Sequence, residues 1–217
     1  MMTQSSLETI EFIIRTMSEV ALANRAYFCE LDGVVGDGDF GNSLATGFET
    51  VTVTKWDDLN RTNPGSFLKD VAQAFMGSVG GVTGSIWGTA FLRAGIKAGD
   101  KEELTVDDAL EMVRFAIEGM KKRGKANLGD KTLLDAFVPA TDAFEEVVRN
   151  GGSPLDGLKS AAQVARQQTE VIKPWIAKCG RASYTGERSC NTYDAGSIAV
   201  AMMAEKLADV WEAQPQV

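Results

Sequence analysis

No histidine occurs anywhere in the 217 residues, which removes the commonest general base, the usual zinc ligand and any phosphohistidine carrier at one stroke. Chemistry in this chain must therefore rest on carboxylates, arginine, lysine or a metal ion. Cysteine is scarce: Cys29, Cys179 and Cys190 make an odd count of three with no metal-ligand spacing, which suits reduced thiols in a reducing compartment better than a disulfide framework. Long apolar runs are missing too. The longest, such as 198–204, fall far short of the roughly 20 residues a membrane helix needs. The N-terminus has no basic stretch leading into an apolar segment and is interrupted by Ser5, Glu8 and Glu11, so no secretory signal is expected, and a cytoplasmic location is. Basic side chains are the minority, 22 against 30 acidic ones for a net charge of −8, which argues against a nucleic-acid partner, since such proteins need a positive footprint. What remains, 44% hydrophobic and 24% charged, suffices for one substantial core, and a single domain over 1–217 is expected.

Helical periodicity dominates the chain. Leu7, Ile10, Ile13, Ile14, Met17 and Val20 recur at three and four residues after Ser5 and Glu8 in capping-box spacing. Thr105 and Asp108 precede a second stripe of Leu110, Val113, Ile117 and Met120 that ends near Gly124. Ser153, Pro154 and Asp156 open a third, which carries Leu155, Leu158, Ala162 and Ala165 inward. Further helices are expected over 42–54, 65–77, 83–98, 131–150 and 195–213, about eight in all. Only 51–54 alternates as a strand would, too little for a sheet, so the fold class is all-α. Pro139 lies inside a helical pattern and is expected to kink or break it unless a neighbour supplies the missing hydrogen bond.

Three turns between these helices carry chemistry. In LDGVVGDGDFGNS, residues 31–43, Asp32, Asp37 and Asp39 crowd one glycine-rich stretch. Carboxylates held this close repel one another and call for a cation. The spacing lacks the ligand order of a calcium loop and matches the Mg²⁺ habit of a few carboxylates completed by water and phosphate. The same residues also fit an ordinary solvated Asp-Gly turn. GSVGGVTGSIWG, residues 77–88, feeds a helix whose first N–H groups, with the hydroxyls of Thr83 and Ser85, suit an anion. It also fits close packing through small residues, and it is not a Walker loop. GRASYTGERSCNTYDAGS, residues 180–197, sets Arg181 and Arg188 just before a helix start at Asp194, as a phosphate site requires, although surface ion pairing is open for both arginines.

Taken in order, these turns resemble the L subunit of dihydroxyacetone kinase over nearly the whole chain. The family's LDxxxGDGDHG corresponds to residues 31–41, its GGxSG to 80–84, its RGKAxxGDKTxxDA to 123–136 and its GRASYxGERSxGxxDPG to 180–196. The resemblance implies a barrel of about eight antiparallel helices with the nucleotide at one end. It implies that Asp32, Asp37 and Asp39 hold two Mg²⁺ ions bridging the phosphates of ADP or ATP. It further implies that Phe40, Gly41, Asn42 and Ser43, with Val82 and Thr83, line the phosphates, and that Gly124, Leu133, Arg181, Asp194, Ala195 and Gly196 complete the pocket. Arg181 becomes the candidate for stabilising transition-state charge. The implied partners are a K subunit that holds a short-chain ketose and, in one branch of the family, a phosphotransferase-system phosphocarrier that recharges bound ADP. Several positions depart from the pattern: Phe40 stands where histidine is usual, Ser43 and Leu44 replace an Asn-Met pair, Thr83 replaces serine, and Ala195 replaces the proline of DPG. These departures point to a different ketose, such as a four-carbon one. They also leave open a regulatory protein that retains nucleotide without transferring phosphate.

Overall fold

A computed structural model describes residues 5–211, all of it helical or in turns, with no strand among the described residues. Nine α-helices are described: α1 (Ser6–Ala23), α2 (Arg25–Gly33), α3 (Phe40–Glu49), α4 (Pro64–Ser78), α5 (Gly81–Ala98), α6 (Val106–Gly124), α7 (Leu134–Arg149), α8 (Pro154–Ile172) and α9 (Ala195–Trp211). The expected capping boxes form. The Ser5 N–H donates to Glu8 at 2.8 Å, the Thr105 N–H to Asp108 at 3.0 Å, and Ser153 and Asp156 exchange bonds at 3.1 and 3.2 Å. Each satisfies N–H groups that a helix start leaves without partners.

The structure refines the sequence reading at three places. At 25–33, where periodicity gave no helix, the chain winds into α2. Its N-cap Asn24 makes no side-chain cap bond and Phe28 is its one fully buried side chain, so tertiary packing and not local signal holds it. The alternating 51–54 stretch continues α3 as one π-helical turn, Thr50–Thr54. There Thr52 Oγ1 donates back to the Phe48 carbonyl at 2.9 Å, a competing bond of the kind that opens a helix. Pro139 neither breaks α7 nor ends it, since the helix continues to Arg149. On this chain, burial of Leu134, Ala136, Val138 and Ala140 outweighs one lost backbone bond. Of the expected 195–213 helix, residues 212–213 lie outside the described residues.

The described chain divides into two compact units, one comprising residues 5–22 and 43–124, the other 23–42 and 125–211. In the first, α4, α5 and α6 pack in sequence around an aromatic cluster. Phe48 meets Phe75 edge-on at 5.3 Å and Trp87 at 6.0 Å between ring centroids, a favoured geometry for ring pairs. Trp56 lies beneath the guanidinium of Arg15, 3.9 Å from its ring centroid. In the second unit, α7, α8 and α9 pack through small side chains, with Ala140, Ala161, Ala165 and Ala201 buried at their junction beside Phe144 and Ala204. Across the α8–α9 contact Arg166 makes a two-pronged bond to Glu205 at 2.7 and 2.6 Å, the geometry that suits a guanidinium best.

Candidate functional site

The aspartate-rich turn belongs to the second unit and is built between α2 and α3. Asp32 occupies the last turn of α2 and its Oδ2 accepts the N–H groups of Asp39 at 3.0 Å and Phe40 at 3.3 Å. One carboxylate thus holds the start of α3, where backbone donors are otherwise unpaired. Glycine is required at two points by close approach. A Cβ at Gly36 would lie 2.3 Å from Asp32 Oδ1, and one at Gly41 would lie 2.1 Å from the Arg25 carbonyl. Asp37 points the other way, its Oδ2 2.7 Å from Arg181 Nη1. The acid and the arginine singled out from distant motifs therefore meet. Among the described residues, no three His, Cys, Asp or Glu side chains already converge as a metal cluster. The three aspartates share one turn, and two of them aim at different partners.

Around this turn, Phe40 spends its N–H on Asp32, and its ring lies tilted at 56° to that of buried Phe28, 6.1 Å between centroids. Where the related motif has a histidine, this chain has a half-buried phenylalanine. Asn42 Oδ1 accepts from Arg25 Nε at 2.7 Å, leaving its NH₂ group as the donor available to a ligand. Arg181 opens a 3-10 segment, Arg181–Ser189, on which Arg188 is exposed. Asp194 caps α9 as expected, its Oδ2 taking the Ser197 N–H at 2.6 Å. Gly196 lies against Leu133, so that a Cβ there would be 3.0 Å from the leucine Cβ. The second unit thus brings Leu133, Asp194 and Gly196 together, and separately Asp37 and Arg181.

The glycine turn lies in the first unit. Val79 ends α4 in extended conformation, Gly80 caps α5, and Gly81 takes φ +68°. Val82 is exposed and Thr83 half-buried in the first turn of α5. Ser85 bends its hydroxyl back to the Val82 carbonyl at 3.0 Å, so of the two hydroxyls considered only Thr83 is without that internal use. Ser43 begins this unit's share of α3, and Gly124 is the last residue of α6.

Sequence reasoning missed two residues that shape the site. Asp135, 3% exposed, accepts the N–H groups of Gly129 at 2.6 Å and Thr132 at 2.8 Å. Lys131, equally buried, donates to the carbonyls of Lys173, Trp175 and Ser189. Thr132 and Asp135 at i and i+3 were a readable local signal; the Lys131 contacts join segments far apart in sequence and left none.

Burial pushes the Asp194 carboxyl up to about 6, and the nearby carboxylates of Asp135 and Asp32 add to this, against the Ser197 N–H and Lys131, which favour the charged form. The folded chain thus holds this proton to a higher pH than the unfolded one. The resulting stabilisation is complete below the unfolded value of about 4 and is lost as pH rises through about 6. Asp194→Asn keeps an acceptor for Ser197 and removes the charge. In magnesium- and nucleotide-free buffer at pH 7.5 it is expected to stabilise the chain by on the order of 2–3 kcal/mol, a gain in melting temperature that shrinks steadily on acidification to pH 4. An equal gain at both pH values would refute the assignment.

With the geometry in place, comparison with known proteins fixes the class. The DAK2 domain family matches residues 34–209, and the chain belongs to that family. It is 31% identical over 207 residues to the PEP-dependent dihydroxyacetone kinase, ADP-binding subunit DhaL, of Escherichia coli (strain K12), covering 95% of this chain and 98% of the relative. It is also 31% identical over 209 residues to the L-erythrulose kinase of Pectobacterium atrosepticum, covering 96% of this chain and 35% of that longer protein. Among solved structures, the dihydroxyacetone kinase from C. freundii in complex with AMP-PNP and Mg²⁺ shares the fold with TM-score 0.72 at 23% identity, over 96% of this chain and 35% of that one. The expected all-α fold of this family is thereby established. No helix among the described residues is long and apolar enough to cross a membrane.

Proposed function

We propose that this chain is the nucleotide-carrying subunit of a short-chain ketose kinase, which holds Mg²⁺-ADP or ATP and delivers the terminal phosphate to a ketose on a separate K subunit. The observation that carries this reading is the pairing of Asp37 with Arg181 at 2.7 Å. It puts a carboxylate turn and a guanidinium at one place, in a chain that spans 98% of a relative named as an ADP-binding subunit. The family match runs from 34 to 209 and so across both units, which supports one functional domain over 1–217. The cytoplasm is the compartment in which such a subunit would meet its nucleotide.

The donor set fits Mg²⁺, an ion that takes one or two carboxylates and leaves the rest of its shell to water and phosphate. Asp32, with Oδ2 committed to backbone N–H groups, has Oδ1 to offer, and Asp37 and Asp39 are the further ligands for two ions. Bound Mg²⁺ supplies positive charge that neutralises the phosphate oxygens during transfer. The protein's own share is positioning. Arg181 directs a planar fork of donors at the terminal phosphate. In the second unit the donor of Asn42 and the turn at Gly41 are offered to phosphate oxygens, and in the first unit the first-turn N–H groups of α5 around Val82 and Thr83 are a further set of phosphate donors. In the second unit, Leu133, Ala195 and Gly196 offer a surface to the nucleoside beside Asp194. Phe40 offers no imidazole, and its backbone N–H is held by Asp32. A four-carbon ketose is the acceptor that the likeness to an L-erythrulose kinase supports.

The test is to denature the purified protein, quantify released adenine nucleotide, and titrate nucleotide-free protein with Mg²⁺-ADP and Mg²⁺-ATP. Co-purifying ADP is the expected result if a phosphotransferase-system phosphocarrier recharges the bound nucleotide; exchange of ATP indicates an ordinary kinase cycle. No magnesium-dependent binding of either would end the proposal.

A further inference from the structure

We infer that Lys131 is a positioning residue, whose buried ammonium clasps the segment that bears Arg181 and so sets the arginine's place opposite Asp37. This rests on the functional reading above. Lys131 is 3% exposed and adopts φ +61°, a left-handed conformation uncommon for a side chain of its size. Its Nζ donates to the carbonyls of Lys173 at 2.8 Å, Trp175 at 2.9 Å and Ser189 at 2.5 Å. An ammonium has three protons, and all three are used on backbone oxygens. Two of the acceptors precede Arg181 in the chain and one follows it, so a single charge gathers both ends of the arm.

The arm is a weak element by itself. Arg181–Ser189 is a 3-10 segment interrupted at Gly186, where φ is +56°, and such segments have poorer hydrogen-bond geometry than α-helix. Its ends are closed by Ser189, whose hydroxyl donates to the Gly186 carbonyl at 2.6 Å and accepts the Ala177 N–H at 2.9 Å. The Lys178 N–H also reaches the Asp130 carbonyl at 3.0 Å. The loop that presents Lys131 is fixed in turn by Asp135, through Gly129 and Thr132. A chain of bonds thus runs from the start of α7 through Lys131 to the arm and out to Arg181, which itself touches Asp37. Burying an ammonium is costly unless its protons are satisfied, and a purely apolar side chain would fill the same space without that cost. The carbonyl clasp gives the lysine a purpose that filling space does not.

The test uses Lys131→Met, which keeps the stem and removes the charge, and Lys131→Arg, which keeps the charge. Amide hydrogen exchange of the full chain is expected to be at least tenfold faster over 173–190 in the methionine variant, with α7, α8 and α9 still protected. With the K subunit and ketose, kcat is expected to fall at least tenfold in Lys131→Met, to recover mostly in Lys131→Arg, and to fall no further when Lys131→Met is added to Arg181→Ala, because Lys131 acts on turnover only through the placing of Arg181. If Lys131→Met fails to fold, Lys131→Gln, with two donors and no charge, is put through the same measurements with the same expectations. Unchanged exchange, or losses that multiply with Arg181→Ala, would overturn the role of Lys131 while the wild-type chain still bound Mg²⁺-ADP. A wild-type chain that bound none would overturn the functional reading first and this role with it.

Discussion

Replacing Asp32 by asparagine is expected to weaken magnesium-dependent nucleotide binding by at least a hundredfold while leaving the chain folded. The two jobs of this carboxylate are separable by chemistry. Oδ2 accepts the N–H groups of Asp39 and Phe40, and an amide carbonyl performs that task nearly as well. The charge that would hold a divalent cation has no substitute in asparagine. Asp32→Asn should therefore change melting temperature by no more than about 2–4 °C, the equivalent of roughly 1 kcal/mol in a chain of this size. Asp32→Ala removes the acceptor as well, leaving two first-turn donors of α3 to water, and a further loss of about 1–3 kcal/mol is expected. Calorimetric titration with Mg²⁺-ADP, paired with thermal melts of both variants, checks this. Wild-type affinity in Asp32→Asn would show that the turn is the solvated structural one that its composition also allows.

The second large effect concerns turnover. Arg181→Ala is expected to lower kcat with the K subunit by about a thousandfold or more, the scale on which a transition-state arginine acts in phosphoryl transfer. The dissociation constant for Mg²⁺-ADP should move by less than tenfold. Stability should hardly change, because Arg181 and Asp37 are a solvent-exposed pair, with 68% and 42% of their side-chain surface accessible, and such pairs contribute little. Arg181→Lys should recover only a small part of the rate, since a lysine restores the charge without the planar fork. Steady-state kinetics on the three proteins decides the matter. A kcat within tenfold of wild type in the alanine variant would reduce Arg181 to a surface ion-pair partner.

Local signals carried most of the fold to the reader of the sequence, and long-range ones carried almost none of the site's scaffolding. Ser5 with Glu8, Thr105 with Asp108, and Ser153 with Asp156 announced three helix starts because cap and partner lie three residues apart, within reach of any inspection. Asp194 announced a fourth. The helix α2 was invisible because Asn24 supplies no cap bond and only Phe28 commits fully to the core. The Asp-Gly turn was legible as a place of chemistry. Its division of labour, with Asp32 tied to α3 and Asp37 to Arg181, was not, because orientation is set by contacts between α2, α3 and the 3-10 arm. Phe40 stands out in the sequence as a departure from the motif, yet only the structure sets its ring beside Phe28. Lys131 is the clearest omission: a lysine in a polar loop looks solvated until the three carbonyls it meets are brought to it by distant parts of the chain.

The second unit is made from two pieces of chain, 23–42 and 125–211, with most of the first unit threaded between them. For a ribosome emitting 5–20 residues per second, the aspartate turn leaves the exit on the order of ten seconds before Arg181 does. Throughout that interval Asp37 is without Arg181 and α2 is without its contacts to α9. The helices α4 to α6 can pair with one another as they emerge, while the earlier segment waits for α7 to α9. Any disturbance of translation between the two pieces should therefore fall on the aspartate turn first, with the aromatic cluster around Phe48 already in place.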